Sequence, residues 1–138
     1  MKKKEPVSHI MTHNVHSIQV GDGLKRAVDL IHKYHVRHLP VIKNGTIVGM
    51  LSSTDLNRLT FSNLFENQES ADDAILEMLT IEHVMSGHPT VVSPQHQIRE
   101  VAEIFADKQF HALPVVEDDK LVGIVTTTDI IKYLLEQY

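Results

Sequence analysis

Gly123-Ile124-Val125-Thr126-Thr127-Thr128-Asp129 decides the reading of this chain, because Gly49-Met50-Leu51-Ser52-Ser53-Thr54-Asp55 repeats its order 74 residues earlier. Each copy reads as the end of a buried strand, a glycine and two apolar residues, running into hydroxyls and an aspartate. Behind Asp129, the apolar residues Ile130, Ile131, Leu134, Leu135 and Tyr138 fall at helical spacing, as do Leu56 and Leu59 behind Asp55. Strand therefore meets helix at the hydroxyl–aspartate step. There the unpaired N–H groups of a helix start favour an anion, and Ser, Thr or Asp can cap. Capping accounts for the residue types but not for the same order in both copies. Nor does it require a carboxylate three residues after both Ser52 and Thr126. A carboxylate accepts hydrogen bonds from both hydroxyls of a ribose, and a hydroxyl beside a backbone N–H suits a phosphate.

The 74-residue shift holds far beyond these motifs. It lays His9 on His83, Met11 on Met85, Leu39-Pro40-Val41 on Leu113-Pro114-Val115 and Val48-Gly49 on Val122-Gly123. No gap is needed from Val7 through Leu59, paired with Ile81 through Tyr133. The expected organisation is a first repeat over 7–60, a connecting helical segment over 61–80 and a second repeat over 81–138.

Each repeat reads alike. A short start (His9-Ile10-Met11 or His83-Val84-Met85) leads to a brief extended piece, His16-Ser17-Ile18 or Thr90-Val91-Val92. A turn signal then opens an amphipathic helix, with Leu24, Ala27, Val28 and Ile31, or Ile98, Val101, Ala102 and Phe105, on its buried face. Asp22 and His96 stand where the helix N-caps are expected. Two strands follow, around Leu39-Pro40-Val41-Ile42 and Ile47-Val48-Gly49-Met50-Leu51, and around their counterparts. Asn44-Gly45 between apolar runs is a hairpin signal. Proline in the first strand of each pair points to a strand start or an edge. Continuous apolarity places cover on both faces of the sheet. In the connector, Leu64 and Phe65 extend the first motif helix, and Asn67-Gln68-Glu69-Ser70 reads as a loop. Ala74, Ile75, Met78 and Leu79 read as a short helical stripe.

Composition narrows the function. A chain of 138 residues buries roughly two-thirds of its unfolded surface on folding. The chain has no cysteine, which removes disulfide scaffolds, thiolate zinc sites and cysteine nucleophiles and fits a reducing, cytoplasmic setting. No apolar run approaches a membrane span, and the amino terminus lacks the apolar region of a signal peptide. A formal net charge of −5 argues against a nucleic-acid-binding role. Nothing reads as a nucleophile elbow, a phosphate-binding glycine loop or a dinucleotide fingerprint, so no enzymatic activity is expected.

Taken together, the repeats resemble the tandem cystathionine-β-synthase (CBS) domain pair, often called a Bateman module, from Val7 to Tyr138. The resemblance implies an α/β (α+β) fold of two β-α-β-β-α repeats packed sheet to sheet with pseudo-two-fold symmetry. It implies a regulatory module whose clefts between the repeats bind an adenosine-containing ligand: AMP, ADP, ATP or S-adenosylmethionine. No further cofactor is required. Asp55 and Asp129 match the family's ribose-binding carboxylate, and Ser52 and Thr126 its hydroxyl. The adenine wall falls on Thr90, Val91, Ala112 and Pro114 in one repeat, and on His16, Ser17, His38 and Pro40 in the other. The family pattern sets Asp55 against Thr90, Val91 and Ala112, and Asp129 against Ser17 and His38. His16-Ser17 departs from the usual Thr-aliphatic pair, and His35 and Gln109 occupy a place where glycine often ends the first helix. Such modules pair into homodimers, and their output passes to an effector protein or to a second copy.

Other readings of the same residues remain. Arg37, His38 and His111 flank the expected cleft and suit a phosphate; Arg58 and Lys132 are weaker candidates on a solvated helix face. Ten histidines raise a divalent-metal sensor, but His35 and His38 straddle a helix-to-strand change and no carboxylate or thiolate stands at ligand spacing, so no metal site is assigned. The apolar excess on the last helix, with Leu56, Leu59 and Phe61, suggests a dimer interface. A protein-interaction module without a physiological nucleotide is the alternative function.

Overall fold

The structure is a computed structural model that describes residues 4–61, 74 and 76–138. The expected extension at Leu64 and Phe65, the loop at Asn67-Gln68-Glu69-Ser70 and Ile75 lie outside the described residues. The chain divides into two compact units that cut across the repeat boundaries. An inner unit runs from His16 to Pro89, and an outer unit combines Met1–Val15 with Thr90–Tyr138.

The inner unit holds a mixed four-stranded sheet in the order β1 (Ile18–Gln19), β2 (His38–Lys43), β3 (Thr46–Ser52), β4 (Ser86–Gly87). β1 runs parallel to β2, and the other pairs are antiparallel. Helices α1 (Leu24–Tyr34), α2 (Ser53–Phe61) and the single turn α3 (Ile81–Val84) complete it. Ile18, Leu24, Ala27, Leu39, Val41, Leu51 and Ile81 form a core with Leu56 and Leu76. The connector departs from the expected stripe. Residues 76–78 are helical, but Leu76 enters the core, Leu79 only packs against it and Met78 is exposed.

The outer unit repeats this plan with β5 (Ala112–Glu117), β6 (Lys120–Thr126), α4 (Ile98–Lys108) and α5 (Thr127–Glu136). Its flanking strands shrink to single bridges, Val92 parallel to Val115 and Thr12 antiparallel to Ile124. The expected extended piece Thr90-Val91-Val92 thus contributes one paired residue. Val7, opening the 3-10 turn Val7–His9, and Met11 reach the outer core beside Val92, Val101, Leu113, Val115, Val125 and Tyr133. The repeat starts are therefore exchanged between units: Val7–Met11 completes the outer core, while Ile81 completes the inner one.

Both hairpins close on two residues with positive φ, Asn44 (52°) with Gly45 (80°) and Asp118 (51°) with Asp119 (63°), the twist-matched turn that joins antiparallel strands directly. Both also carry one extra residue, Val48 or Val122, between the paired rows, a bulge that bends the strand before the motif. His35 (φ 53°) and Gln109 (φ 58°) end α1 and α4 in the left-handed conformation, the one that makes glycine common at such a place.

Three expectations are corrected. Gly23, not Asp22, caps α1, because the Asp22 carboxylate accepts the Gln19 N–H at 3.0 Å and pairs with Arg26 instead. Gln97, not His96, caps α4 in a box with Glu100; the His96 ring accepts the Ser93 N–H at 2.9 Å. Pro40 lies in an interior strand, not at an edge, but pairing with β1 starts only at Val41. In the outer unit, the Pro114 carbonyl accepts from Val92 at 3.1 Å. The N–H that proline lacks would face the same side, ahead of the single bridge, so its absence breaks no ladder bond.

Candidate functional site

In each unit, the last residue of a strand and the first turn of the next helix form a closed pair of hydrogen bonds. Ser52 N–H donates to Asp55 Oδ2 at 3.1 Å, and Asp55 N–H donates to Ser52 Oγ at 3.1 Å. Thr126 N–H donates to Asp129 Oδ2 at 2.9 Å, and Asp129 N–H donates to Thr126 Oγ1 at 3.2 Å. This is a capping box built with Asp at the third helical position, and it satisfies two N–H groups that a helix start leaves open. Capping is therefore part of what these residues do.

The carboxylates are only half used. Each commits Oδ2 to the main chain, while Oδ1 has no partner among the described residues. Both aspartates remain partly open to solvent. Oδ1 is thus an acceptor held at a fixed place beside a positive helix end, where a hydroxyl donor gains most.

Of the other expected residues, Arg37, His38, His111 and Ala112 adjoin the two ledges through main-chain pairing within their own units. In the inner unit, Arg37 O accepts the Ser53 N–H at 2.8 Å, and His38 pairs with Ser52 across the β2–β3 ladder. Pro40 is buried opposite Met50, and Ser17 directly precedes β1. In the outer unit, His111 O accepts the Thr127 N–H at 3.0 Å and Ala112 pairs with Thr126. Pro114 is buried opposite Ile124, while Thr90 and Val91 are exposed beside the bridge at Val92. Arg58 and Lys132 are exposed, one turn along α2 and α5.

Sequence reasoning missed several contacts within the two units. His16 stacks on Tyr34 with ring centroids 3.8 Å apart and planes within 14°, and Lys33 Nζ lies 5.2 Å from the Tyr34 centroid. Gly49 and Gly123, at the start of each motif, pack against the side chains of Met85 and Met11. The signal existed, since glycine and methionine both recur at the 74-residue shift; nothing in a periodicity argument linked them. Tyr133, Glu5 and His9 form a further link: Tyr133 Oη donates to Glu5 Oε1 at 2.9 Å, and His9 Nδ1 lies 3.1 Å from Glu5 Oε2. His83 does a different job from His9, closing a capping box with Thr80. Leu56, expected at an interface, is core, whereas Ile131, Leu134 and Leu135 are exposed on α5.

Two units built on the same helix–hairpin–helix plan, each carrying this strand–carboxylate–helix ledge, define a tandem repeat module. The CBS domain family pattern matches residues 7–61 and 81–136, and the chain belongs to that family. A protein of Methanocaldococcus jannaschii, MJ1225, is 26% identical over 133 residues. Its crystal structure superposes with a TM-score of 0.81, covering 97% of this chain and 49% of that one. The CBS-pair protein CBSX2 of Arabidopsis thaliana, solved in complex with AMP, is 26% identical with a TM-score of 0.79, covering 96% of this chain and 97% of that one. The CBS domain-containing protein YhcV of Bacillus subtilis is 26% identical over 90% of this chain and 81% of its own length. The chain spans 48% of MJ1225, and 24% of a homoserine O-acetyltransferase of Methanohalobium evestigatum to which it is 25% identical. No described helix is long and apolar enough to cross a membrane.

Proposed function

We propose that this chain is a regulatory sensor, not a catalyst, and that it binds an adenosine-containing ligand through the ribose hydroxyls at Asp55 and Asp129. The observation that carries the reading is the half-committed carboxylate: Oδ2 holds the helix start, Oδ1 is left for a ligand, and both units repeat the arrangement. The likeness to CBSX2, whose chain solved with AMP is covered over 97% of its length, supports adenosine as the common element. Ser52 or Thr126 and the neighbouring N–H groups would face phosphate or ribose. Ser17, His38 and Pro40, and Thr90, Val91, Ala112 and Pro114, would supply walls for the base. A second copy docking on Ile131, Leu134 and Leu135 would make the working form a dimer, a state that light scattering reads directly. The signal then passes to an effector protein as a shift in packing.

Calorimetry with AMP, ADP, ATP and S-adenosylmethionine tests the reading, using Asp55→Asn, Asp129→Asn and the double variant. Asparagine keeps an acceptor for the Ser52 or Thr126 N–H, so the cap survives while the charge and the second acceptor are lost. Each single variant is expected to weaken one binding event by about tenfold or more, as for hydrogen bonds to a charged group. Parent-like binding by the double variant refutes the ribose assignment. If no adenosine compound binds the parent, the interaction module takes its place; stabilisation by divalent metal alone would make it an ion sensor.

A further inference from the structure

The two ledges are built alike and charged differently. The shift that pairs Asp55 with Asp129 also pairs residues 32–38, His32-Lys33-Tyr34-His35-Val36-Arg37-His38, with residues 106–112, Ala106-Asp107-Lys108-Gln109-Phe110-His111-Ala112. The inner segment carries Lys33, Arg37 and three imidazoles and no acid. In the outer segment, Asp107 offsets Lys108 and a single imidazole remains. Both segments run from the end of the repeat's first helix into the strand paired with the ledge.

Main-chain hydrogen bonds tie both segments to the ledges. The residue before each strand accepts the first N–H of the ledge helix, Arg37 from Ser53 at 2.8 Å and His111 from Thr127 at 3.0 Å. An arginine at the inner ledge therefore occupies the place of a histidine at the outer one. Arg37 is exposed, and its guanidinium pairs with no described residue. Arginine presents a permanent charge and a planar fork suited to phosphate, which an imidazole does not. Lys33 lies over a Tyr34 ring already stacked with His16; the outer counterparts of His16 and Tyr34 are Thr90 and Lys108. Arg58 and Lys132 match in charge, so they do not separate the ledges.

We infer that the ledges select ligands by charge: the inner one takes an adenosine di- or triphosphate, and the outer one an adenosyl ligand with one phosphate or none. The inference rests on the ribose reading of Asp55 and Asp129. It rests also on each ligand lying beside its own unit's segment, as the main-chain bonds from Ser53 to Arg37 and from Thr127 to His111 suggest, not beside the opposite one that the family resemblance implies. It adds which ligand class each ledge takes. Every added phosphate raises the attraction to a fixed cation, so the preference grows along the phosphate series at the inner ledge alone.

The test is calorimetry on the full chain with AMP, ADP, ATP and S-adenosylmethionine, with each ledge silenced in turn. In Asp129→Asn, where only the inner ledge is intact, ATP is expected to bind about tenfold or more tightly than AMP, the worth of a charge-assisted contact. In Asp55→Asn, the series is expected to be flat or to fall, with S-adenosylmethionine binding at least as well as ATP. Adding Arg37→Gln to Asp129→Asn should erase the ATP preference while AMP still binds, and adding His111→Arg to Asp55→Asn should create one. Binding with the same ATP-to-AMP ratio at both ledges, or a ratio unmoved by Arg37→Gln, overturns the charge assignment and leaves the ribose reading standing. Absence of all binding to the parent chain overturns both.

Discussion

Replacing Gly123 by alanine tests how closely the exchanged amino-terminal segment is seated on β6. A Cβ built there lies 2.6 Å from Met11 Sδ, 3.0 Å from Met11 Cγ and 3.0 Å from the Thr12 carbonyl oxygen. The thioether is flexible and can swing aside, although Met11 is 92% buried, with 8% of its surface exposed. The carbonyl is less free, because Ile124 N–H donates to Thr12 O at 3.0 Å and Thr12 N–H donates to Ile124 O at 2.8 Å. One added methyl must therefore displace a packed methionine and strain the two bonds that join this segment to the sheet. Overpacking of this kind costs about 1–3 kcal/mol, a fall in Tm of roughly 3–4 °C per kcal/mol for a chain of this size. Met11→Ala alone should cost about 2–5 kcal/mol through the cavity it leaves. The double variant is expected to be more stable than the sum of the two by about 1 kcal/mol, since each change relieves the other. Urea titrations followed by circular dichroism read all four corners of this cycle. Gly123→Ala within about 0.5 kcal/mol of the parent, or strictly additive costs, would refute the close seating of Met11 on the glycine.

Other outcomes follow from the same packing. His35 and Gln109 hold φ of 53° and 58°, so His35→Gly and Gln109→Gly should each stabilise by about 0.5–1 kcal/mol, after allowing for the freer unfolded chain; a loss of stability in thermal melts counts against both. Burial, and then the hydrogen bond to Glu5, raise the Tyr133 phenol above 10.0. Below pH 10.0 both states keep the proton; above it the unfolded chain ionises first, so this contribution is complete below pH 10.0 and is lost as pH rises through the folded value. Tyr133→Phe should flatten the fall in urea midpoint between about pH 9 and about pH 11, and a variant that keeps the parent's alkaline slope excludes the Tyr133–Glu5 bond as its source.

The legible features were those whose physical cause lies within a few residues. Asn44-Gly45 announces its turn because both positions need positive φ, and the buried faces of α1 and α4 follow from helical period alone. Asp118-Asp119 adopts the same turn with two residues that favour it less, so there the repeat register carried the inference. Local reasoning failed where one side chain had two possible donors. Asp22 and His96 are plausible caps, but each closes a turn three residues back, at Gln19 and Ser93, and the helix starts one residue later. The exchange of the repeat starts was not legible at all. Periodicity shows that Val7 and Ile81 are apolar and equivalent, whereas their different cores go with pairings only one or two residues long, Thr12 with Ile124, Gly23 with Thr80, and Ser86-Gly87 with Gly49-Met50.

That exchange bears on why the ledges suit a sensor. The carboxylate that would hold the ribose also holds its own helix start, so its orientation is fixed before any ligand arrives and little side-chain freedom remains to be lost on binding. The strand leading into it is fixed as well: Gly49 and Gly123 each lie under a methionine from an exchanged segment, and Gly49 pairs with Gly87 in β4. A ligand on Oδ1 therefore acts on a helix, a strand and a segment from the other sequence repeat as one connected body. Loosening the methionine contact with the double variant Met11→Ala/Met85→Ala should weaken ligand binding at both ledges while leaving every residue proposed to touch the ligand in place. Unchanged affinity in a folded variant would mean that the capping box alone orients the carboxylate.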